Sequence, residues 1–332
     1  MNINRQWLIC GNPHGRAVKE SDFELVEVAV PDLNDGEVRV QVEYLEFTPS
    51  LKGQMENRLS YAEKTETGQV MRGRGLGTVV ASASEEIAVG AKVHGYLGWQ
   101  EYSTLPANEL TVRTDDDSLR HYLGPLGSTG MAAYFGFFDA GEPQAGDTVL
   151  ISGAAGAVGS MVGQMAKLVD CRVIGVAGGQ EKCTHLLDFL GLDAAIDYKN
   201  ENVEERLKEL APDGVNVIFD NVGGDFLEAA LANLAVGARV VICGAITRYS
   251  LKEPPPGPSN YFNLVLKRAT MRGILSVDYQ DQFEEAGNRI RTWLADDKFA
   301  YQEDIQEGFE NIPATFMRLF SGKNLGKQLL KL

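Results

Sequence analysis

The stretch "SGAAGAVGS", residues 152 to 160, places small residues at a spacing suited to holding a phosphate group. It lies between the apolar run "DTVLI" and the periodic segment "MVGQMAKLVD", where a strand hands over to a helix. Gly156 and Gly159 meet the second and third positions of the G-x-G-x-x-G pattern, while Ala154 stands at the first. In that pattern the first glycine serves a tight turn, the second lets the backbone approach a pyrophosphate, and the third lets helix and strand pack closely. Alanine can occupy the turn if its φ is negative. The helix N-terminus then supplies amide donors and the positive end of a dipole, so the chemistry expected at this turn is dinucleotide binding; the bland alternative is an ordinary glycine-rich connection from strand to helix.

The end of the next strand decides which dinucleotide. An acidic side chain there usually takes the ribose hydroxyls of NAD. "VIGVAGGQEKC" has Gly178 and Gly179 instead, and Lys182 follows within one turn as a point charge for a 2′-phosphate, despite neighbouring Glu181. NADP(H) is therefore the expected cofactor; the bland alternative is that Lys182 is a solvated helix residue.

Two kinds of element must position these groups. Up to about residue 122 the chain reads as short β segments, "FELVEV", "EVRVQVEYLEF", "GTVVASAS" and "AKVHGYL". Val38, Val40, Val42 and Tyr44 alternate with Glu37, Arg39, Gln41 and Glu43, the period of a half-buried strand in a barrel-like domain. From about 148 the strands "TVLIS", "RVIGVA", "AAID", "VNVIFDNV" and "ARVVICGA" recur at intervals of about two dozen residues with helices between them, the grammar of a doubly wound parallel sheet. Val158, Met161, Val162, Met165 and Leu168 form one helix face to lie on that sheet, and "EKCTHLLDFLG" ends at Gly191, a C′ glycine.

Composition excludes other functions. The 332 residues carry a formal charge of -15, which opposes nucleic acid and anionic membranes as partners. Cys10, Cys171, Cys183 and Cys243 form no C-x-x-C pair and suit a reducing compartment. The start, "MNINRQWLIC", lacks the basic and apolar regions of a secretory signal, so a cytoplasmic location is expected.

"GSTGMAAYFGF", "SGAAGAVGS", "FDNVGG", "ICGAIT" and "GKNLGK", in this order and spacing, resemble the zinc-independent branch of the medium-chain dehydrogenase/reductases. Within it the chain is most similar to the prostaglandin reductase, alkenal double-bond reductase and curcumin-reductase-like group. The resemblance spans essentially the whole chain. It implies an α/β protein with a GroES-like β-barrel catalytic domain over residues 1–123, a Rossmann domain over 124–295, and a return to the catalytic domain over 296–332. It implies NADPH-dependent reduction of a C=C bond conjugated to a carbonyl, in a small-molecule enone or enal, and a homodimer joined through "TMRGILSV" as edge strand. Carried over by residue, Ala155, Gly156, Ala157 and Val158 match the pyrophosphate turn, and Lys182 and Tyr198 beside Gly178 match the 2′-phosphate contacts. Asn221 matches a residue beside the nicotinamide ribose. Cys243, Gly244, Ala245, Ile246 and Tyr249, then Ile274, Leu275 and Ser276, and finally Asn324 match segments enclosing the nicotinamide end.

Zinc-dependent relatives place Cys-His and Gly-His-Glu where this chain has Thr48-Pro49 and Gly73-Arg74, and its four histidines are scattered, so no metal is expected. Conjugate reduction needs only a donor near the carbonyl, which stabilises the developing enolate. A phenol, with an ordinary pKa of about 10, suits that role. Where eukaryotic relatives carry a tyrosine this chain aligns Leu266. The resemblance matches Tyr61 to a tyrosine that bacterial members place at the substrate mouth, and Tyr261 lies five residues before Leu266, so Tyr61 and, second, Tyr261 are the candidate catalytic donors, with a cofactor ribose hydroxyl able to share the role. A quinone oxidoreductase of the same superfamily and a non-catalytic NADP-binding protein are the alternative readings.

Overall fold

The structure, a computed structural model, describes residues 3–56, 64–114 and 118–332. Its contacts divide the chain into two compact units, Met1–Leu123 with Glu303–Leu332, and Gly124–Gln302.

The first unit is a mostly antiparallel sheet centred on the strand Glu37–Glu46, which pairs with Arg74–Ser82, Tyr102–Pro106 and Lys327–Lys331. Val38, Val40 and Val42 are buried, as their alternation predicts. The alternation then breaks: a register shift between Val42 and Tyr44 leaves Tyr44 half-buried and turns Leu45 into the core. Around buried Trp99 pack Phe47, at 5.6 Å between ring centroids, and Phe316, at 5.5 Å. Phe316 belongs to the helix Ile312–Ser321, so the C-terminal segment supplies core side chains to the first unit. A buried ion pair, Lys327 Nζ to Glu46 Oε2 at 2.6 Å, fixes its last strand.

The second unit holds six strands, β1 (Thr148–Ser152), β2 (Arg172–Ala177), β3 (Ala194–Asp197), β4 (Val215–Asp220), β5 (Leu234–Ile242) and β6 (Thr270–Gly273). They run parallel in the order β3-β2-β1-β4-β5-β6. The order reverses between β1 and β4, and at such a switch point the carboxyl ends of the strands open a crevice for a ligand. The helices of this unit include α1 (Ser128–Phe135), α2 (Ala157–Lys167), α3 (Gln180–Thr184), α4 (Asp225–Ala232) and α5 (Asn263–Lys267).

Helix α2 is more enclosed than a single apolar stripe implies. Met161, Val162 and Met165 are buried as expected, but so are Gly159, Ser160, Gly163 and Gln164, because α2 packs on α1 as well as on the sheet. Val158 and Leu168, at the ends of the expected stripe, are only half-buried. Gln164 Nε2 donates to Ala300 O (2.8 Å) and Gln164 Oε1 accepts from Ala300 N–H (2.6 Å). That pair keeps residues 296–302 with the second unit, whereas the sequence placed the return to the first domain at 296. Helix α5 ends at Arg268 in a left-handed conformation. Among the described residues no helix is long and apolar enough to cross a membrane.

Candidate cofactor site

The turn after β1 is built as its sequence implies. The left-handed backbone needed to leave the strand falls on Gly153, at φ +56°, and not on Ala154, whose φ is negative. An alanine at the first pattern position is thus accommodated because the residue before it is glycine. Ala154 is buried and its N–H donates to Val176 O of β2 (3.1 Å). Gly156 caps α2 in an extended conformation, and a Cβ there would meet only Gly153 O, at 3.1 Å. A Cβ on Gly159 would instead lie 2.5 Å from Gly153 O and 2.8 Å from Ala154 Cα, so the close helix-to-strand approach requires glycine. Ala155 is buried beneath the turn, whereas Ala157 and Val158 are partly exposed in the first helical turn, where backbone amides have no intrahelical partner.

A polar network underlies the switch point. Ser152, the last residue of β1, donates through Oγ to Asp220 Oδ1 (2.7 Å), the last residue of β4, and accepts from Asn221 N–H (2.7 Å). Asn221 Nδ2 donates to Ser152 O (2.8 Å). Asp220 is 0% exposed and also accepts from the amides of Val222 (2.8 Å) and Gly223 (3.0 Å). Burial pushes its carboxyl above the usual carboxylate range, against the pull of these donors. The Asp220 carbonyl accepts from the N–H groups of Cys243 (2.9 Å) and Gly244 (3.1 Å), and the Asn221 carbonyl from that of Ile246 (3.3 Å). The residues expected at the nicotinamide end, Asn221 and Cys243 to Ile246, are thereby gathered where β4 and β5 finish. Burial pushes the Cys243 thiol up to about 12, so it remains a neutral thiol. Tyr249 follows the short 3-10 turn Ile246–Arg248. Ile274 is buried, its N–H donating to Ile242 O (3.2 Å), and Leu275 and Ser276 continue from β6 half-buried.

At the carboxyl ends of β2 and β3, Gly178 lies against Tyr198 and Gly179 turns with φ +100° into α3, on which Lys182 is half-buried. Asp197 Oδ1 accepts from Gly179 N–H (2.7 Å), and this bond first among several holds its carboxyl below the usual range. Asn324 belongs to the first unit, where its Nδ2 donates to Gly326 O (3.1 Å). Tyr261 is 63% exposed, just before α5; the neighbouring Asn260 and Asn263 donate to the carbonyls of Glu228 and Leu231 of α4. Leu266 is 58% exposed on the same segment. Tyr61 lies outside the described residues.

Sequence reasoning overlooked Ser152, Gly153, Asp197 and Asp220. The signal for Ser152, Asp197 and Asp220 was present in "TVLIS", "AAID" and "VIFD", runs that each end in a polar residue at the end of a parallel strand.

These residues fit a dinucleotide phosphate. The open side of Gly156, the first-turn amides of α2 and the Gly178-Gly179 turn beside Lys182 provide a close backbone approach, donors and a cation. Among the described residues no group of three or more His, Cys, Asp or Glu is placed to hold a metal ion.

Comparison with known proteins agrees with this architecture. A family model for the "N-terminal domain of oxidoreductase" matches residues 5–112, and one for "Zinc-binding dehydrogenase" matches 157–292. The NADPH-dependent curcumin reductase of Escherichia coli is 36% identical, covering 99% of this chain and 96% of that protein. The 2-alkenal reductase (NADP(+)-dependent) of Nicotiana tabacum is 37% identical over 94% of this chain and 93% of its own. The crystal structure of CurA from Vibrio vulnificus in complex with NADPH superposes with a TM-score of 0.93 at 37% identity, covering 98% of both chains. Full-length similarity to curcumin and alkenal reductases, on a chain whose switch point is built for a dinucleotide, means that it belongs to the zinc-independent medium-chain dehydrogenase/reductases.

Proposed function

We propose that this chain reduces the C=C bond of α,β-unsaturated ketones and aldehydes with NADPH. The observation that carries this reading is the convergence, at the carboxyl ends of β1, β2 and β4, of the α2 amides, the Gly178-Gly179 turn and the Asn221 cluster. When bound, NADPH supplies a hydride for the β-carbon of the conjugated substrate. The chain's own residues bind and orient. The backbone of residues 155–158 holds the pyrophosphate, Lys182 and Tyr198 receive the 2′-phosphate, and Asn221 with Cys243 to Ile246, Tyr249 and Ile274 to Ser276 set the nicotinamide face. Resemblance alone assigns Asn324 to that set. Neutral Cys243 serves as a packing group and not as a nucleophile. Tyr61, with Tyr261 second, donates a hydrogen bond to the carbonyl oxygen as negative charge develops there.

Deuterium-labelled NADPH offered with a panel of enones and enals tests the reaction. Label at the β-carbon of a saturated ketone or aldehyde is expected; label at the carbonyl carbon of an allylic alcohol would make the enzyme a carbonyl reductase.

We also infer a homodimer acting in the cytoplasm. The whole of β6, the edge strand of the parallel sheet, is exposed, and an open edge invites pairing with a second copy. All four cysteines are free thiols, in keeping with a reducing compartment. Sedimentation at micromolar concentration is expected to give a dimer, and a monomer would refute it.

A further inference from the structure

The absent Cβ of Gly178 marks an occupied place. A methyl group there would lie 2.8 Å from Tyr198 Cε1 and Oη, and 2.9 Å from Lys199 Cε. Lys199 follows β3, the edge strand opposite β6, yet its side chain lies back across the end of neighbouring β2.

Asp197 accounts for that path. It is 6% exposed, and its Oδ1 accepts from both Gly179 N–H (2.7 Å) and Lys199 N–H (3.1 Å), while Oδ2 accepts from Asn200 Nδ2 (2.7 Å). One carboxylate therefore ties the Gly178-Gly179 turn to the Tyr198–Asn200 turn. Its acceptor capacity is directed at these donors. Among the described residues the Lys199 ammonium makes no ion pair, in contrast to Lys167, which pairs with Asp193 at 2.8 Å. The result is an ammonium on a long stem, laid over a glycine, at the turn that leads into α3 and Lys182.

We propose that Lys199 is a second cation, beside Lys182, for the 2′-phosphate of the NADPH adenosine, and that Asp197 is the positioning residue that brings it there. The proposal rests on the assignment of this turn to the adenosine end. A phosphomonoester carries close to two negative charges at neutral pH and presents three acceptor oxygens, so two lysines match it better than one.

Binding of 2′,5′-ADP and of 5′-AMP to the full-length protein, measured by calorimetry at fixed ionic strength, tests this directly because the two probes differ in the 2′-phosphate. Lys199→Met is expected to weaken 2′,5′-ADP by about five- to tenfold, the range of one exposed charge-assisted contact, and to spare 5′-AMP. Lys182→Ala tests the underlying assignment. If Lys182→Ala weakens 2′,5′-ADP and Lys199→Met does not, the proposal is overturned and the cofactor assignment stands. If neither does, the assignment fails and the proposal with it. Equal loss of both probes in Lys199→Met would also overturn the proposal, since the effect would not concern the 2′-phosphate. For Asp197→Asn, KM for NADPH is expected to rise more than KM for NADH; an equal rise would refute the positioning role.

Discussion

Ser152→Ala offers the sharpest test of how the site is held. The hydroxyl is buried, with one bond given to Asp220 Oδ1 (2.7 Å) and one accepted from Asn221 N–H (2.7 Å). Alanine leaves the half-buried Asn221 amide without that acceptor, a loss towards the lower end of the range of about 1–3 kcal/mol for a fully buried group. It also removes one of the donors to a buried carboxylate, and bonds to charged groups contribute about 1.5–3 kcal/mol each. The two losses share one atom and overlap, so the expected net destabilisation is about 2–4 kcal/mol. Urea unfolding should show a lower midpoint at unchanged slope. The penalty should also depend on pH with a defined sign. Asp220 already has a folded-state pKa above the usual carboxylate range, and losing a donor raises it further. The penalty is therefore full where Asp220 is ionised and shrinks as pH falls through that raised value, because a protonated carboxyl no longer needs the missing donor. Ser160→Ala is the control, since Ser160 Oγ reaches only Ala157 O in its own helix turn, at 3.3 Å. Equal stability of the Ser152 and Ser160 variants, or a Ser152→Ala penalty that grows towards acid pH, would refute the reasoning.

The second prediction concerns coenzyme choice: NADPH should exceed NADH at least about tenfold in kcat/KM, equivalent to about 1.4 kcal/mol, and Lys182→Ala should raise KM for NADPH more than for NADH. Equal efficiency with the two coenzymes in the unmodified enzyme would sink it. Extensive chelation should leave activity unchanged and metal analysis should find no stoichiometric zinc; a zinc that activity requires would overturn the mechanism. For the donor, Tyr61→Phe should lower kcat more than it raises KM, by roughly 10²- to 10³-fold if it acts alone, with Tyr261→Phe losing less; the reverse order would transfer the role to Tyr261.

How much of the molecule could be read in the chain depends on the range of each interaction. The βαβ spacing, the Gly156 and Gly159 turn and the alternation of Val38, Val40 and Val42 are local patterns, and the strands, turn and burial obey them. The break at Tyr44 could not be read because it arises from a register shift against a partner strand. Asp220 illustrates the same limit at the site. In sequence it is one acid after an apolar run; it becomes the anchor of the Asn221 cluster only because the order of strands sets β4 beside β1, bringing Ser152 within 2.7 Å across a separation of 68 positions. Asp197 and Lys199 were harder still, because a charged pair at the end of an edge strand ordinarily faces solvent. Here Asp197 instead receives an amide from the turn after β2, 18 positions away, so its part in the adenosine end depends on the pairing of β2 with β3 and on Gly178 having no side chain to obstruct Lys199. A local motif thus located the phosphate turn, while the groups that hold and charge its surroundings were set by which strands lie side by side.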